Sequence, residues 1–262
     1  MIRNKSFENN KPLIYLIATP IGNLGEMSKR ALDVIQEMDV IAAEDTRNTY
    51  SLLSHFGIKK ELFSLREHNE IEASEHLLRL VKNGKKVAYV SDAGYPGISD
   101  PGYLLVKKAR EEGIAVSTVS GSCALINALV ASGLPTDHFY FYGFLSKKGN
   151  EGKKALESLT ERLETLIFYE SPHQIEETIK LLFSVFGDRT CVIARAKRAV
   201  YVIANKMDLP ESAENLKELK KKVRGLTILP VSAENDPSFE ELKEKLQLAL
   251  REIRRKEEQE AE

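Results

Sequence analysis

Short apolar runs alternate with amphipathic stretches over most of the chain. In the first half, five runs have the length and the β-branched content of buried strands: Leu13–Ala18, Val40–Ala43, Leu62–Leu65, Val87–Val90 and Val116–Val119. Between them, apolar residues recur at helical spacing over Ser28–Met38, Thr46–Phe56, Ile71–Val81 and Tyr103–Glu111. Strands of about five residues that alternate with helices of about ten predict a mostly parallel α/β sheet.

A second set of elements follows a loop at Gly133–Asp137, which combines Gly, Pro and Asp. Its predicted strands are Phe139–Phe144, Thr165–Tyr169, Cys191–Ala194, Val200–Ala204 and Thr227–Val231. Its predicted helices are Gly152–Arg162, Ile175–Phe186, Ala213–Val223 and Phe239–Arg255. We therefore expect an α/β domain over residues 12–120, a second α/β domain over 121–233, and a charged C-terminal helix over 234–262.

Charge and composition exclude several classes of protein. The 38 Lys+Arg and 39 Asp+Glu give a net charge of −1, so any RNA binding depends on a local basic patch. The sequence shows no secretory signal and no apolar run of the roughly 20 residues that a membrane helix needs. Two separated cysteines and five scattered histidines give no metal-ligand spacing. We expect a cytoplasmic protein without a bound metal.

Polar or Gly-rich segments follow each of the five strands in the first half. These segments are Thr19–Asn23, Glu44–Arg47, Arg66–Asn69, Ser91–Gly102 and Ser120–Ala124. Because ligands of open α/β sheets bind beyond the carboxyl ends of the strands, the segments predict one ligand site. Neither a GxGxxG after the first strand nor a GxxxxGK[ST] anywhere is present, which argues against dinucleotide and P-loop sites.

Several ordered motifs carry a resemblance to a known family over about residues 12–196. They are Ala18–Leu24 (ATPIGNL), Ala43–Arg47 (AEDTR), Ser91–Gly102, Ala131–Asp137 (ASGLPTD), Gly143–Leu145 and Tyr169–His173 (YESPH). Together they resemble the tetrapyrrole methylases, which are class III S-adenosylmethionine enzymes. Within that family they are similar to the branch that 2′-O-methylates a cytidine of 16S ribosomal RNA in the small ribosomal subunit.

The resemblance implies a two-domain α/β fold, a homodimer, and S-adenosylmethionine bound in a cleft between the domains. Carried over by motif, the donor-binding residues are Pro20, Gly22, Asp92, Ala93, Gly94, Tyr95, Ser122, Cys123, Tyr169, Glu170 and Ala196. Methyl transfer is an in-line displacement, so positioning of the acceptor oxygen should supply much of the rate.

A base near the acceptor would help, because a ribose hydroxyl is a weak nucleophile. Glu44, Asp45 and His68 are the candidates, with Arg47 as a phosphate ligand. A helix N-terminal cap is the alternative role for the acidic pair, since carboxylates favour that end of a helix. An ordinary hydrogen-bonding role is the alternative for His68.

A local basic patch should meet the RNA. Lys147 and Lys148 follow a predicted strand, and Arg195 lies in a later basic cluster. Replacing both lysines with Ala should weaken RNA binding and lower its dependence on salt. Aromatic residues alternate through Phe139–Phe144, where they either stack on a splayed base or bury one face of the strand.

The resemblance is expected to end near Ala196. Asn205-Lys206-Met207-Asp208 and Val231-Ser232-Ala233 resemble the guanine-reading motifs of Obg-type GTPases. A fusion, an engineered chimera and a natural recombination are open explanations. Because no P-loop accompanies these motifs, the sequence predicts strands and helices that complete the second domain, not GTP hydrolysis.

Three alternatives to rRNA methylation stay open. One is a methylase of a small molecule such as a tetrapyrrole. Another is a chimeric or non-catalytic protein of the same fold that binds S-adenosylmethionine weakly or not at all. The third is a guanine-nucleotide binder that acts through Asn205 and Asp208.

Overall fold

The computed structural model describes residues 13–187, 189–196 and 199–205, with side chains for 13–187 and 189–194. The chain divides into two compact units, Met1–Ala124 and Leu125–Glu262. The division falls four residues beyond the expected end of the first domain at 120. The elements expected over Ala213–Val223, Thr227–Val231 and Phe239–Arg255, together with the charged helix over 234–262, lie outside the described residues.

The first unit contains a five-stranded sheet flanked by helices. Its strands are β1 (Leu13–Ile17), β2 (Val40–Ala43), β3 (Glu61–Ser64), β4 (Val87–Val90) and β5 (Ala115–Val119). Its helices are α1 (Lys29–Glu37), α2 (Thr46–His55), α3 (Glu70–Lys82) and α4 (Tyr103–Glu111). Every pairing in this sheet is parallel, and the strand order is β3-β2-β4-β1-β5. The alternation predicted from hydrophobic spacing is therefore found with small shifts at the ends.

Two buried clusters cover the two faces of this sheet. Residues from α3 and α4 pack on one face, where Leu77, Tyr89 and Leu105 are fully buried. Residues from α1 and α2 pack on the other, around Ile35 and Leu53. The strands β2 and β4 are buried at every position, as expected when helices cover both faces of a parallel sheet.

The topology creates a switch point between β1 and β4. These strands are neighbours, yet the chain leaves β1 through α1 on one face and leaves β4 through α4 on the other. In open α/β sheets, the carboxyl ends of two such strands border the usual ligand crevice. The fold thus directs attention to the loops that follow β1 and β4.

The second unit has a mixed sheet. Its elements are α5 (Ala124–Ser132, starting at the boundary), β6 (Phe139–Phe144), α6 (Glu151–Glu157), β7 (Thr165–Glu170), α7 (Ile175–Phe186), β8 (Thr190–Ala196) and β9 (Ala199–Asn205). The strand order is β6-β7-β9-β8. The β6–β7 pair is parallel, whereas β9 is antiparallel to both β7 and β8.

Sequence patterns missed one helix and the direction of two pairings. Helix α5 was not predicted, because Ala124–Ser132 is apolar on most sides and lacks the polar face that reveals an amphipathic helix. The mostly parallel sheet predicted from the first five strands is confirmed, but no pairing direction was predicted for β8 and β9, which residues 197–198 separate. A parallel crossover needs about a dozen residues, so these strands are bound to pair antiparallel.

Candidate functional site

The loops after β1 and β4 are joined directly at the switch point. The amide N–H of Thr19 donates to the Gly94 carbonyl at 2.9 Å, and the amide of Gly94 donates back at 3.0 Å. The Thr19 hydroxyl donates to the carbonyl of Ser91 at 3.1 Å, and the Ser91 hydroxyl donates to the carbonyl of Gly94 at 3.1 Å. These bonds fix the start of the 91–102 loop against the segment that carries Pro20 and Gly22.

The loop after β5 joins the same group through close backbone contacts. The phenol oxygen of Tyr95 accepts a hydrogen bond from the Gly121 amide at 3.2 Å. A Cβ atom at Gly121 would lie 2.9 Å from the Ala18 Cβ and 3.1 Å from its carbonyl oxygen, so only glycine fits there. Gly94 has φ +82°, a conformation that glycine adopts without strain. We call residues 18–23, 91–95 and 120–123 the switch-point loops.

The structure brings together the predicted donor residues of the first unit on these loops. Gly94 is buried, and Gly22 is exposed. The half-buried members are Pro20, Asp92, Ala93, Tyr95, Ser122 and Cys123. The Ser122 hydroxyl donates to the carboxylate of Glu26 at 2.7 Å. Sequence reasoning missed Glu26, which lies two residues beyond the quoted Ala18–Leu24 motif, in the 3-10 turn that Leu24 begins.

A second group of polar residues lies beside these loops. We call Glu44, Asp45, Asp92 and Asp100 the carboxylate rim. Asp92 links the ends of β4 and β2, because its carboxylate accepts hydrogen bonds from the Asp45 amide at 3.2 Å and from the Asn48 side-chain amide. Asp92, the second residue of the 91–102 segment, is therefore held by the N-cap and first turn of α2.

Asp45 has a structural role at the start of α2. Its carboxylate accepts the Arg47 amide at 2.9 Å and two bonds from the Arg47 guanidinium at 3.0 and 2.6 Å. The hydrogen bonds with Arg47 hold the pKa of Asp45 well below its usual range. Such a carboxylate is a poor proton acceptor. The capping alternative is thus the one that the geometry favours for Asp45.

Arg47 and Arg66 both approach the rim. Arg47 is mostly exposed, although its guanidinium already holds Asp45. Arg66 donates from Nε to the Glu44 carbonyl oxygen at 3.0 Å, and its Nη2 lies 3.7 Å from a carboxylate oxygen of Asp45. Sequence reasoning placed Arg66 in a loop without a role. His68, two residues later, lies exposed in a one-turn 3-10 helix.

Asp100 is the rim member that sequence reasoning offered only as an acceptor in the 91–102 loop, without a donor-binding or catalytic role. It is half-buried near the end of the 91–102 loop. Burial, together with the negative charges of Glu44 and Asp92, raises the pKa of Asp100 to about 7, and a hydrogen bond with Ser91 offsets part of this effect. The signal in the sequence was its place in the Gly- and Pro-rich segment after β4, which also contains Asp92.

In the second unit, the predicted donor residues Tyr169 and Glu170 end strand β7. The ring of Tyr169 packs edge-on against Phe141 and Phe144. Glu170 is buried, and its carboxylate accepts bonds from the Ser171 amide at 2.7 Å and from the Thr178 hydroxyl. Both oxygens of Glu170 are thus used within the unit.

Lys147 completes this buried cluster. Its ammonium donates to Glu170 and, at 2.9 Å, to the Thr178 hydroxyl. An ammonium that neutralises a buried carboxylate is not available for phosphate, so the structure gives Lys147 a structural role that differs from the predicted RNA contact. Lys148, the next residue, is exposed. The side chains of Arg195 and Ala196, both in β8, lie outside the described residues.

Neither a metal-ligand cluster nor a membrane-spanning helix is found among the described residues. No group of three or more His, Cys, Asp or Glu side chains in this part of the chain is arranged to hold a metal ion. Within the same residues, no helix combines the length and the apolar character needed to cross a membrane.

The chain is similar to known methylases over most of its length. A family model for the tetrapyrrole (corrin/porphyrin) methylases matches residues 13–205. The ribosomal RNA small subunit methyltransferase I of Vibrio cholerae is 42% identical over 243 residues, which cover 92% of this chain and 84% of that protein. The protein of the same name from Halalkalibacterium halodurans is 46% identical over 193 residues, with 74% and 67% covered.

Solved structures share the fold at low sequence identity. A diphthine synthase superposes with a TM-score of 0.60 at 17% identity, covering 79% of this chain and 95% of that one. A uroporphyrin-III-C-methyltransferase from Thermus thermophilus superposes with a TM-score of 0.54 at 18% identity, covering 80% and 99%. Similarity at this level shows a common architecture and says nothing about a common substrate.

The comparisons do not support a GTPase-like C-terminal segment. The expected end of the methylase resemblance near Ala196 is wrong, because the family match extends to residue 205 and includes β9. The Vibrio cholerae alignment, which covers 92% of the chain, also extends well beyond residue 196. Asn205 ends β9 opposite Thr190, whereas Asp208 and Val231-Ser232-Ala233 lie outside the described residues.

Proposed function

The chain belongs to the tetrapyrrole (corrin/porphyrin) methylase family, and on this basis we propose that it is an S-adenosylmethionine-dependent methyltransferase of ribosomal RNA. The proposed reaction is transfer of a methyl group to the 2′-oxygen of a cytidine in 16S rRNA of the small subunit. The observation that carries the proposal is that the three switch-point loops meet at one edge of the sheet. The similar proteins, in addition, are named as methyltransferases of small-subunit ribosomal RNA.

The residues of the first unit suit an adenosyl donor with a sulfonium centre. The switch-point loops bring backbone groups, the Ser122 hydroxyl and the Tyr95 phenol to one place. The carboxylate rim next to them is complementary to a positive charge. When bound, the donor supplies an electrophilic methyl group, and the protein's task is to hold it in line with the acceptor.

We propose that Pro20, Gly22, Ala93, Gly94 and Tyr95 bind the donor mainly through their backbone. Ser122 and Cys123 border it from the loop after β5, while Asp92 orients the 91–95 segment through its bonds to the start of α2. Tyr169 and Ala196 remain predicted donor contacts, and the ligand position between the domains stays a prediction as well. Glu170 is kept as a structural residue, because its carboxylate is already bonded within its unit.

Ribosomal RNA requires exposed cations and accessible planar groups. Lys148 and Arg195 are the proposed phosphate contacts of the second unit, and Arg47 of the first. The exposed ring of Phe144 adds a surface on which a splayed base can stack. A homodimer and a cytoplasmic location complete the proposal, as the resemblance and the composition predict.

A direct assay tests the proposal. Small ribosomal subunits that lack the modification are incubated with the protein and methyl-labelled S-adenosylmethionine, and the rRNA is digested to nucleosides. Label in 2′-O-methylcytidine is the expected result. Label transferred only to an added tetrapyrrole would favour a small-molecule methylase.

Calorimetry with S-adenosylhomocysteine separates the remaining alternatives. Heat of binding is expected at micromolar ligand, and its absence would favour a protein of this fold without catalytic activity. Titration of a fluorescent GDP, with Asp208→Asn as the control, tests the guanine-nucleotide alternative, for which we expect no binding.

A further inference from the structure

The segment after β4 is attached to helix α2 by a side chain that no motif includes. Asn48 is the third residue of α2, one position beyond the Ala43–Arg47 motif, and it is half-buried. Its side-chain amide donates a hydrogen bond to one carboxylate oxygen of Asp92. The other oxygen of Asp92 accepts the backbone amide of Asp45 at 3.2 Å. Both oxygens of Asp92 are therefore bonded to the start of α2.

The charges around Asp92 favour a neutral hydrogen-bond donor at position 48. The N-terminus of a helix carries a partial positive charge, which stabilises a carboxylate placed there. A hydrogen bond from an amide to an ionised carboxylate is also stronger than one between neutral groups. Asp45 already brings a second carboxylate to this end of α2. An acid in place of Asn48 would add repulsion, whereas the amide of Asn48 adds a bond without adding charge.

The start of α2, to which Asp92 is bonded, is itself held in place. Asp45 is the N-cap of α2, and its carboxylate accepts the backbone amide and the guanidinium of Arg47. Arg66, from the segment after β3, donates from Nε to the Glu44 carbonyl oxygen at 3.0 Å and lies 3.7 Å from the Asp45 carboxylate. These contacts tie the first turn of α2 to the ends of β2 and β3. The helix start can therefore restrain the group that bonds to it.

Asp92 passes this restraint on to the segment proposed to bind the donor. It directly precedes Ala93, Gly94 and Tyr95 in the chain. Gly94 is joined to Thr19 by two backbone hydrogen bonds at 2.9 and 3.0 Å. The 92–95 backbone is thus held from α2 through Asp92 and from the loop after β1 through Gly94. A backbone fixed at two points presents its polar groups to a ligand in one geometry.

We propose that Asn48 is a positioning residue of the donor site, an inference that rests on the proposed function. It acts through Asp92 and contacts neither the donor nor the acceptor. Its hydrogen bond orders the 92–95 segment before the ligand arrives, so that binding does not have to supply the cost of ordering. Loss of this bond should weaken donor binding and leave the binding of the ribosomal subunit unchanged.

Exchange of the two side chains tests the inference. Asn48→Asp sets two carboxylates against each other, and Asp92→Asn sets two amides against each other, so each single substitution loses the bond. In the double variant, the amide at position 92 donates to the carboxylate at position 48, and its oxygen still accepts the backbone amide of Asp45. By calorimetry, the dissociation constant of S-adenosylhomocysteine should rise about 10-fold or more in each single variant and return to within about threefold of wild type in the double variant.

Kinetics and a control variant separate positioning from general stability. In Asn48→Ala, the KM for S-adenosylmethionine should rise about 10-fold, while kcat and the KM for the small ribosomal subunit stay within about threefold of wild type. Ser54→Ala, at an exposed position later in α2, should behave as wild type in both assays. A purely structural Asn48 would instead lower the melting temperature of its variants without changing their affinity for the donor.

Two results would overturn the inference. One is that the single variants bind S-adenosylhomocysteine as tightly as wild type. The other is that the double variant, with a melting temperature near that of wild type, binds as weakly as the single variants, since the charge of Asp92 would then act on the donor directly. Wild type that binds no S-adenosylhomocysteine would refute the proposed function and the inference with it. Wild type that binds it but methylates no rRNA would refute the proposed substrate alone.

Discussion

Acidic residues follow central strands in both units, but the two units treat them in opposite ways. In the second unit, Glu170 is buried at the end of β7 and is neutralised by Lys147 and bonded by Thr178. In the first unit, Asp100 lies half-buried with Glu44 and Asp92 as its charged neighbours. Pairing satisfies the buried charge of Glu170, whereas repulsion between neighbouring carboxylates reduces stability and is typical of functional sites.

The largest expected effect is a loss of stability when the buried carboxylate of Glu170 loses its cation. Lys147→Ala leaves the buried Glu170 without its cation, so we expect a loss of about 2 kcal/mol in the free energy of unfolding, less than for a fully buried pair because Lys147 is half exposed. Chemical denaturation measures it. Lys148→Ala, at the exposed neighbouring position, is the control and should change stability by less than about 0.5 kcal/mol. Equal effects would remove the contrast between the units.

A glycine substitution tests how closely the loops of the first unit are packed. Gly121→Ala places a Cβ 2.9 Å from the Cβ and 3.1 Å from the backbone oxygen of Ala18. We expect a loss of about 1–2 kcal/mol in stability, with weaker binding of S-adenosylhomocysteine in calorimetry. Ser120→Ala, whose side chain is exposed, should leave both quantities unchanged. If Gly121→Ala binds S-adenosylhomocysteine as tightly as wild type, these loops do not form the donor site.

The repulsion at the rim predicts a substitution that stabilises the protein. Burial and the charges of Glu44 and Asp92 raise the pKa of folded Asp100 to about 7, from an ordinary value of 3.8. Stability from this group is therefore lost as pH rises from about 4 through 7. After allowance for solvent access, Asp100→Asn should gain about 1 kcal/mol at pH 8 and almost nothing at pH 4. Thermal melts at both pH values measure it, and a loss at pH 8 would contradict the comparison.

The smallest expected effect concerns the RNA surface of the second unit. Lys148→Ala should weaken binding to 16S rRNA fragments of different sequence by the same factor. The slope of log affinity against log salt concentration should become shallower by about one. Binding at several salt concentrations measures the slope. Lys147→Ala, tested at a temperature where it is folded, should keep the wild-type slope. If Lys147→Ala lowers the slope and Lys148→Ala does not, then Lys147 leaves Glu170 and binds phosphate instead.

Much of the first unit could be predicted from the sequence, since local patterns carry it. Hydrophobic spacing located β2, β4 and α4 with their observed bounds, because buried parallel strands and amphipathic helices have distinct periods. The helix α5 was missed for the same reason, as its apolar residues leave no polar face to mark it. The antiparallel pairing of β8 and β9 was missed because the expected pattern of alternating elements ignored the short connection between them.

The sequence by itself determined the alternation of strands and helices, the segments that follow the strands, and the family. Tertiary structure decided which polar groups meet. The sequence set Lys147 beside Lys148 and offered Asp45 as a base, but only folding brings Glu170 to Lys147, Arg47 to Asp45, and Glu44 with Asp92 to Asp100. The reason is physical: periodicity is a property of neighbouring residues, whereas protonation and pairing depend on charges that lie far apart along the chain and close together in space.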